Sequence, residues 1–225
     1  MSIIFFNEAA DVSGNKLPSI ASEVRDGRTV GTWTAHNAPG VRPRTEPTKA
    51  IVVHHTAGRG TAKQVFRTLR TRRNKAGKLL NLGIHFVVDP DGLVTQMADL
   101  ADVVQHAGGF NSRSVGIEVV SPGNATPGWE PYIGTVRGKP RLMARFKEAQ
   151  VRSTYALLND LTTILGLPRL FPTSPDGVVF TDLLDVRTLD EYRGCLGHIH
   201  VDTNRKKWDP VPHIMQDIEN MWRGK

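Results

Sequence analysis

Hydrophobic positions fall into short β-branched runs and longer helical stripes, separated by glycine and proline. Ala50–His54 is an apolar run bounded by Lys49 and by Thr56-Ala57-Gly58, which predicts a buried strand. Thr61–Arg73 places Ala62, Val65, Phe66 and Leu69 on one side at helical spacing, with Lys63, Arg67, Arg70, Arg72 and Arg73 among the rest. Gly83–Asp89 and Leu93–Met97 flank Pro90-Asp91-Gly92, so they predict strand, turn and strand. Ser114–Val120 predicts another strand.

Ala144–Leu165 gives the strongest helical stripe, through Leu157, Leu158, Leu161, Ile164 and Leu165, and Gly166 and Pro168 end it. Leu196–Val201 predicts a short strand. Pro210–Trp222 predicts a closing helix with Ile214, Ile218, Met221 and Trp222 on its apolar face. Strands alternate with helices, but a hairpin lies among them. The fold class is therefore α/β in the mixed α+β sense, a central mixed sheet flanked by helices.

Residues 1–49 carry little periodic pattern and are punctuated by Gly27, Gly31, Pro39, Gly40, Pro43 and Pro47; they predict an arm or small extension. Residues 50–225 make the principal domain. Pro168, Pro172, Pro175 and Gly177 mark an insertion at about 168–192.

Composition adds limits. Hydrophobic residues are 39% and charged residues 23%, which excludes wholesale disorder. One cysteine, Cys195, excludes an internal disulfide and a multi-cysteine zinc site. No apolar stretch approaches the roughly 20 residues of a membrane span. The apolar run near the N-terminus stops after four residues with no basic residue before it, so synthesis in a cytoplasm without a secretory leader is expected. The net charge of +7 points to a polyanionic partner, whether wall polymer, lipid surface or nucleic acid.

The candidate chemistry lies in the eight histidines. His54 ends an apolar strand, and His55 points to its opposite face, so only one of them enters a given pocket. His198 and His200, two apart on the predicted strand, share a face, and Asp209 follows. Two imidazoles and a carboxylate from distant segments make a hydrolytic zinc set, because zinc takes neutral imidazole and carboxylate oxygen. Spacing leaves open which histidines serve. Glu118 lies inside an apolar strand, where a carboxylate either faces water on an edge or works as a base.

Four blocks carry a resemblance: IVVHHTAG at 51–58, GIHFVVDPDGLVTQ at 83–96, QHAGGFNSRSVGIEVV at 105–120 and GHIHVDTNRKKWDPVP at 197–212. Together, and in this order, they resemble the zinc amidases that cleave N-acetylmuramoyl-L-alanine bonds. That family includes phage amidase endolysins, anhydromuramyl-peptide amidases and peptidoglycan-recognition proteins. The resemblance implies a recognition-protein-like fold and a Zn2+ held by His54, His198 and Asp209. It implies Glu118 as the residue acting on water and Lys207 as the stabiliser of the substrate carbonyl. His55, His85, His106 and Asn111 would bind substrate.

Ile84 stands where many relatives carry a catalytic tyrosine, which shifts weight to Glu118. The interval between His198 and Asp209 leaves Lys206 as an alternative to Lys207, and Gly-His-Ile-His makes His200 a spare ligand candidate. The implied function is hydrolysis of the muramoyl–L-alanine amide of peptidoglycan by a monomer that contacts glycan strand and stem peptide. The implied setting is a bacteriolytic phage-type endolysin acting on the cell wall after holin-type release. Alternatives are a cytoplasmic muropeptide-recycling amidase, a delivered effector and a non-catalytic peptidoglycan-binding module. A nucleic-acid partner has only the basic helix in its favour, with no zinc-finger or RNP-type signature.

Overall fold

The computed structural model describes residues 41–225, together with the backbone of four strands before them. Those strands are β1 (Ile4–Phe5), β2 (Glu8–Ala9), β3 (Ser22–Arg25) and β4 (Arg28–Thr32). Most of the expected arm at 1–49 lies outside the described residues. The chain continues through β5 (Arg42–Pro43), β6 (Ala50–His55), α1 (Ala62–Thr71), β7 (Phe86–Val88) and β8 (Val94–Gln96). Then come β9 (Asp102–Val103), a 3-10 turn at Gly108–Arg113, β10 (Ser114–Val119), β11 (Pro131–Val136), β12 (Lys139–Ala144) and α2 (Glu148–Leu165). It closes with α3 (Val186–Glu191), β13 (Gly194–Gly197), α4 (His198–Val201) and α5 (Pro212–Trp222).

The main sheet has the order β13-β6-β10-β7-β8-β4-β3. β13, β6, β10 and β7 run parallel, and the β7–β8 hairpin reverses the direction, so the sheet is mixed as the pattern predicts. Its two faces follow the alternation of the strands. Ile51 and Val53 of β6 pack with Phe86, Ile117 and Val119 against Leu157, Leu158 and Leu161 of α2 and Ile214 and Ile218 of α5. Ala50 and Val52 face the other way, with Ala107, Phe110 and Leu196. On that side α1 lays Val65, Phe66 and Leu69 over Ile84, Val87, Met97 and Val120. Gly166 ends α2 in the left-handed conformation at φ 61°, which glycine adopts without a Cβ penalty.

Two elements differ from the sequence-based expectation. Residues 131–144 form a separate β11–β12 hairpin, so α2 starts at Glu148 and not at Ala144. Proline and glycine at 131, 134 and 140 hide that hairpin's alternation. The segment predicted as one strand, Leu196–Val201, divides into β13 and the single helical turn α4. His198 and His200 therefore do not share a strand face.

The described part of the N-terminal segment is pinned to the core by Arg44. Its guanidinium donates to the carbonyls of Leu100, Asp102, Ser112 and Ser114 at 2.6–3.1 Å. Among the described residues no helix is long and apolar enough to cross a membrane.

Candidate metal centre

The site lies at the carboxyl ends of the parallel strands, where open α/β sheets leave a crevice. β6 brings His54 to this edge. β10 places Glu118 directly beside it, because Glu118 and His54 are partners in the parallel register. β13 ends at Gly197, and the α4 turn then swings His198 inward. Gly197 is required there, since a Cβ would come within 2.8 Å of Met215 Sδ and Pro210 Cδ. The return segment brings in Asp209, whose carbonyl accepts from Ile199 N–H at 2.8 Å.

Three ligand atoms converge. His54 Nδ1 lies 2.9 Å from His198 Nδ1 and 3.2 Å from Asp209 Oδ2, and His198 Nδ1 lies 3.1 Å from the same oxygen. All three residues are buried. Burial pushes the His54 imidazole down to about 4, so it is neutral at neutral pH. Burial alone would raise the Asp209 carboxyl, but the contacts with His198 and His54 outweigh it and hold the group well below its usual range. Two imidazole nitrogens at 2.9 Å have room for one proton between them, and three mutual contacts cannot all be proton-bridged. A cation accepts all three lone pairs at once, so this donor set fits a metal ion.

A chain of hydrogen bonds fixes the His54 tautomer. Ser114 Oγ donates to the Phe110 carbonyl at 2.7 Å, which leaves it to accept from His106 Nε2 at 3.2 Å. His106 Nδ1 is then the acceptor facing His54 Nε2 at 3.0 Å. With its proton on Nε2, His54 presents a lone pair on Nδ1 to the trio. Gly116 makes room for the His106 ring, because a Cβ there would lie 2.6 Å from His106 Nδ1. Sequence reasoning missed Ser114, although it ends the Asn-Ser-Arg-Ser text.

Glu118 is partly exposed, but its Oε2 is buried and has no hydrogen-bond partner among the described residues. Burial, and then the Asp209 charge, raise its carboxyl to about 8. The Lys207 ammonium is exposed, and its charge acts on His54, His55 and Glu118. Lys206 instead lines a neighbouring groove.

Other predicted residues take different places. His55 points to the opposite face and packs its ring 4.7 Å from Trp208. His85 is fully buried. Its Nδ1 accepts from Gly116 N–H at 3.0 Å and its Nε2 donates to the Asp102 carbonyl at 3.1 Å, so it does not reach the groove surface. Asn111 Oδ1 accepts from the backbone of His106 at 2.9 Å and Ala107 at 2.6 Å, so it holds the loop carrying His106. His200 turns away, accepting from Gly197 N–H and donating to the Phe180 carbonyl. Ile84 is buried beneath α1 and brings no proton-transferring group to the site.

Residues 44–212 match the family model described as N-acetylmuramoyl-L-alanine amidase. The chain is 31% identical over 113 residues to the endolysin of Escherichia phage T7, an alignment spanning 50% of this chain and 66% of that protein, a little under two thirds of its length. It is 30% identical over 116 residues to the endolysin of Klebsiella phage KP32, spanning 52% of this chain and 68% of that one. Among solved structures, the N-acetylmuramoyl-L-alanine amidase LysC from Clostridium intestinale URNW superposes with a TM-score of 0.53 at 16% identity. That match covers 86% of this chain and 97% of LysC.

Proposed function

The chain belongs to the N-acetylmuramoyl-L-alanine amidase family, and on that premise we propose that it hydrolyses the amide between N-acetylmuramic acid and L-alanine in peptidoglycan, as a phage-type endolysin. The carrying observation is the convergence of His54 Nδ1, His198 Nδ1 and Asp209 Oδ2 beside Glu118 on the neighbouring strand.

The trio would hold a zinc ion, since two imidazole nitrogens and one carboxylate oxygen suit that metal. Bound there, zinc supplies Lewis acidity toward the amide carbonyl and toward water. Glu118, with an unpartnered oxygen turned inward, accepts a proton from the attacking water. The water oxygen bonds to the carbonyl carbon while the carbon–nitrogen bond breaks. Glu118 returns its proton to the leaving nitrogen of L-alanine. Lys207 supports the negative charge on the carbonyl oxygen, an effect worth roughly 3–4 kcal/mol when one such donor is lost. His106 and Ser114 hold the His54 ring in its ligating tautomer, and Asn111 holds His106.

The endolysin role rests on the phage relatives and on the positive net charge, which favours an anionic polymer. The test is mass spectrometry of purified peptidoglycan digested with zinc-loaded and with chelator-stripped protein. New free L-alanine amino termini with intact glycan strands, found only with zinc, are expected. No cleavage of polymer or soluble muropeptides by zinc-loaded protein overturns the reading.

A further inference from the structure

A cavity of about 440 Å³ opens on the far side of the sheet from the metal trio. Its size lies within the roughly 300–1,000 Å³ of small-molecule sites. It sits between the start of α2 and the end of α5, and the loop entering β11 closes its third side. Phe146 and Val151 form its floor, and both belong to the core that packs on Ile51 and Val53. His54 and Glu118 project from the other face of the sheet, the face of Ala50 and Val52. The chemistry above makes no use of this cavity.

Its walls are fixed by contacts among themselves. Arg145 N–H donates to the Glu130 carbonyl at 2.8 Å, which pins the loop carrying Trp129 to the end of β12. The Arg145 guanidinium lies 3.5 Å from Asp217 Oδ2 and 5.9 Å from the centre of the Tyr132 ring. Trp129 is half-buried, and the Lys147 ammonium lies 5.5 Å from its ring centroid, so an aromatic wall stands there with a donor beside it. Asn220 Oδ1 accepts from Gln216 Nε2 at 3.0 Å, which orients its amide. Burial pushes the Asp217 carboxyl up even beside Arg145, as for an acceptor short of donors.

The lining is balanced in charge. Glu130, Glu148 and Asp217 stand against Arg145, Lys147 and Lys225, on a chain whose net charge is +7. Such a lining has no net pull on an anionic polymer or on a cation. It offers acceptors and donors side by side, around an aromatic ring and an apolar floor. Sugar rings match that arrangement. Each hydroxyl both donates and accepts, so neighbouring hydroxyls satisfy a carboxylate and a cation together, while the C–H face packs on an indole. An N-acetyl group adds a methyl for the floor of Phe146, Val151 and Met221 and an amide for the rim.

We propose that this cavity is a saccharide-binding exosite that takes an uncharged N-acetylhexosamine unit. The choice of an N-acetylated sugar rests on the amidase reading, under which the substrate is a polymer of such units. The two sites lie on opposite faces, so the exosite holds a different stretch of glycan from the one at the metal. It acts as a tether, raising the local concentration of polymer at the metal face.

The test is calorimetric titration of the zinc-loaded full chain with tri-N-acetylchitotriose, an uncharged oligomer of such a sugar. Trp129→Ala and Glu130→Gln should each weaken binding by about tenfold, the scale of one lost hydrogen bond to a charged group. Lys78→Gln, exposed and outside the cavity, should leave it unchanged. Glu118→Gln should also leave it unchanged, because Glu118 faces the other side. On purified peptidoglycan, Trp129→Ala should release L-alanine termini several-fold more slowly, yet cleave a soluble muramoyl tripeptide at the parent rate. Glu130 is exposed, so its variant reports even if Trp129→Ala fails to fold.

No binding of the trisaccharide by the parent chain overturns the inference, as does binding that survives in both cavity variants. Binding lost in Glu118→Gln but kept in the cavity variants places the sugar in the metal cleft and overturns it as well. If the cavity variants lose the trisaccharide while the parent cleaves neither polymer nor muramoyl tripeptide, the exosite stands and the amidase reading falls.

Discussion

His54 Nε2 faces His106 Nδ1 at 3.0 Å, and the Ser114 hydroxyl behind His106 leaves only one proton arrangement for the pair. The neighbour thus determines which His54 nitrogen stays bare for a metal. Partners of this kind typically contribute 10–100-fold to metal affinity. His106→Ala should weaken zinc binding by about that factor, and Ser114→Ala by less, because the His106 ring remains. Competition against a chromophoric chelator measures both. Unchanged affinity in His106→Ala would show that the ring does not orient His54.

Glu118 gives the second prediction. Glu118→Gln keeps the shape and removes the base, so zinc content should persist while turnover falls about 10²–10⁴-fold. The sign of the pH dependence follows from burial. A carboxyl raised to about 8 is protonated at neutral pH, so the rate must fall as pH drops through that group's value. A bound cation lowers that value, so the acidic limb of kcat/KM should lie below 8 in the zinc-loaded enzyme. The limb should vanish from the residual activity of Glu118→Gln. A limb that persists there belongs to another group.

Much of this architecture was legible in the chain. β6, α1, the β7–β8 turn, β10, α2 and α5 are legible through apolar runs or apolar period and through Pro-Asp-Gly or Gly punctuation, because the central strands are buried on both faces and the helices bury one face against the sheet. The β11–β12 hairpin did not. Its outer positions, Ile133 and Leu142, are exposed and face each other across the strands, so apolar alternation there reports no core. The α4 turn was read as a strand because Ile199 and Val201 are β-branched, and only packing at Gly197 turns the chain.

The three candidate ligands come together in the structure from distant segments, while the residues that support them are not legible in any one segment. Ser114 acts through His106, 8 residues away, and Arg137 ties the hairpin tip to the Lys207 carbonyl, 70 residues away, separations that no local pattern encodes. His85 looked like a groove residue because its motif neighbours one, yet its two nitrogens are spent on Gly116 and Asp102.

Arg44 carries a stability prediction. Its guanidinium satisfies four backbone carbonyls, and burial lowers its pKa to about 10. Arg44→Met keeps the aliphatic stem and leaves those acceptors without their donor. A loss of roughly 2–4 kcal/mol is expected, allowing for the partial exposure of the group. Urea unfolding checks this. A loss below about 0.5 kcal/mol, the range of ordinary surface substitutions, would mean that water replaces the arginine at little cost.

Buried neutral histidines set the acid limit of the fold. Burial first, and Arg44 second, push His85 down to about 3; burial likewise lowers His213 to about 3, aided by Arg145. An unfolded histidine titrates near 6.5, so below that pH the unfolded chain holds protons that the native state refuses. Their contribution is whole above about 6.5 and is lost as pH falls toward 3. Each site is worth on the order of a few kcal/mol across that window. Urea midpoints should therefore decline steadily from pH 7 to pH 4. His213→Gln, which retains an acceptor for the Phe146 N–H now bonded at 3.0 Å, should be less stable at pH 7 yet show a shallower decline. A slope identical to that of the parent would remove His213 from the acid response and leave it to the other buried histidines and the carboxylates.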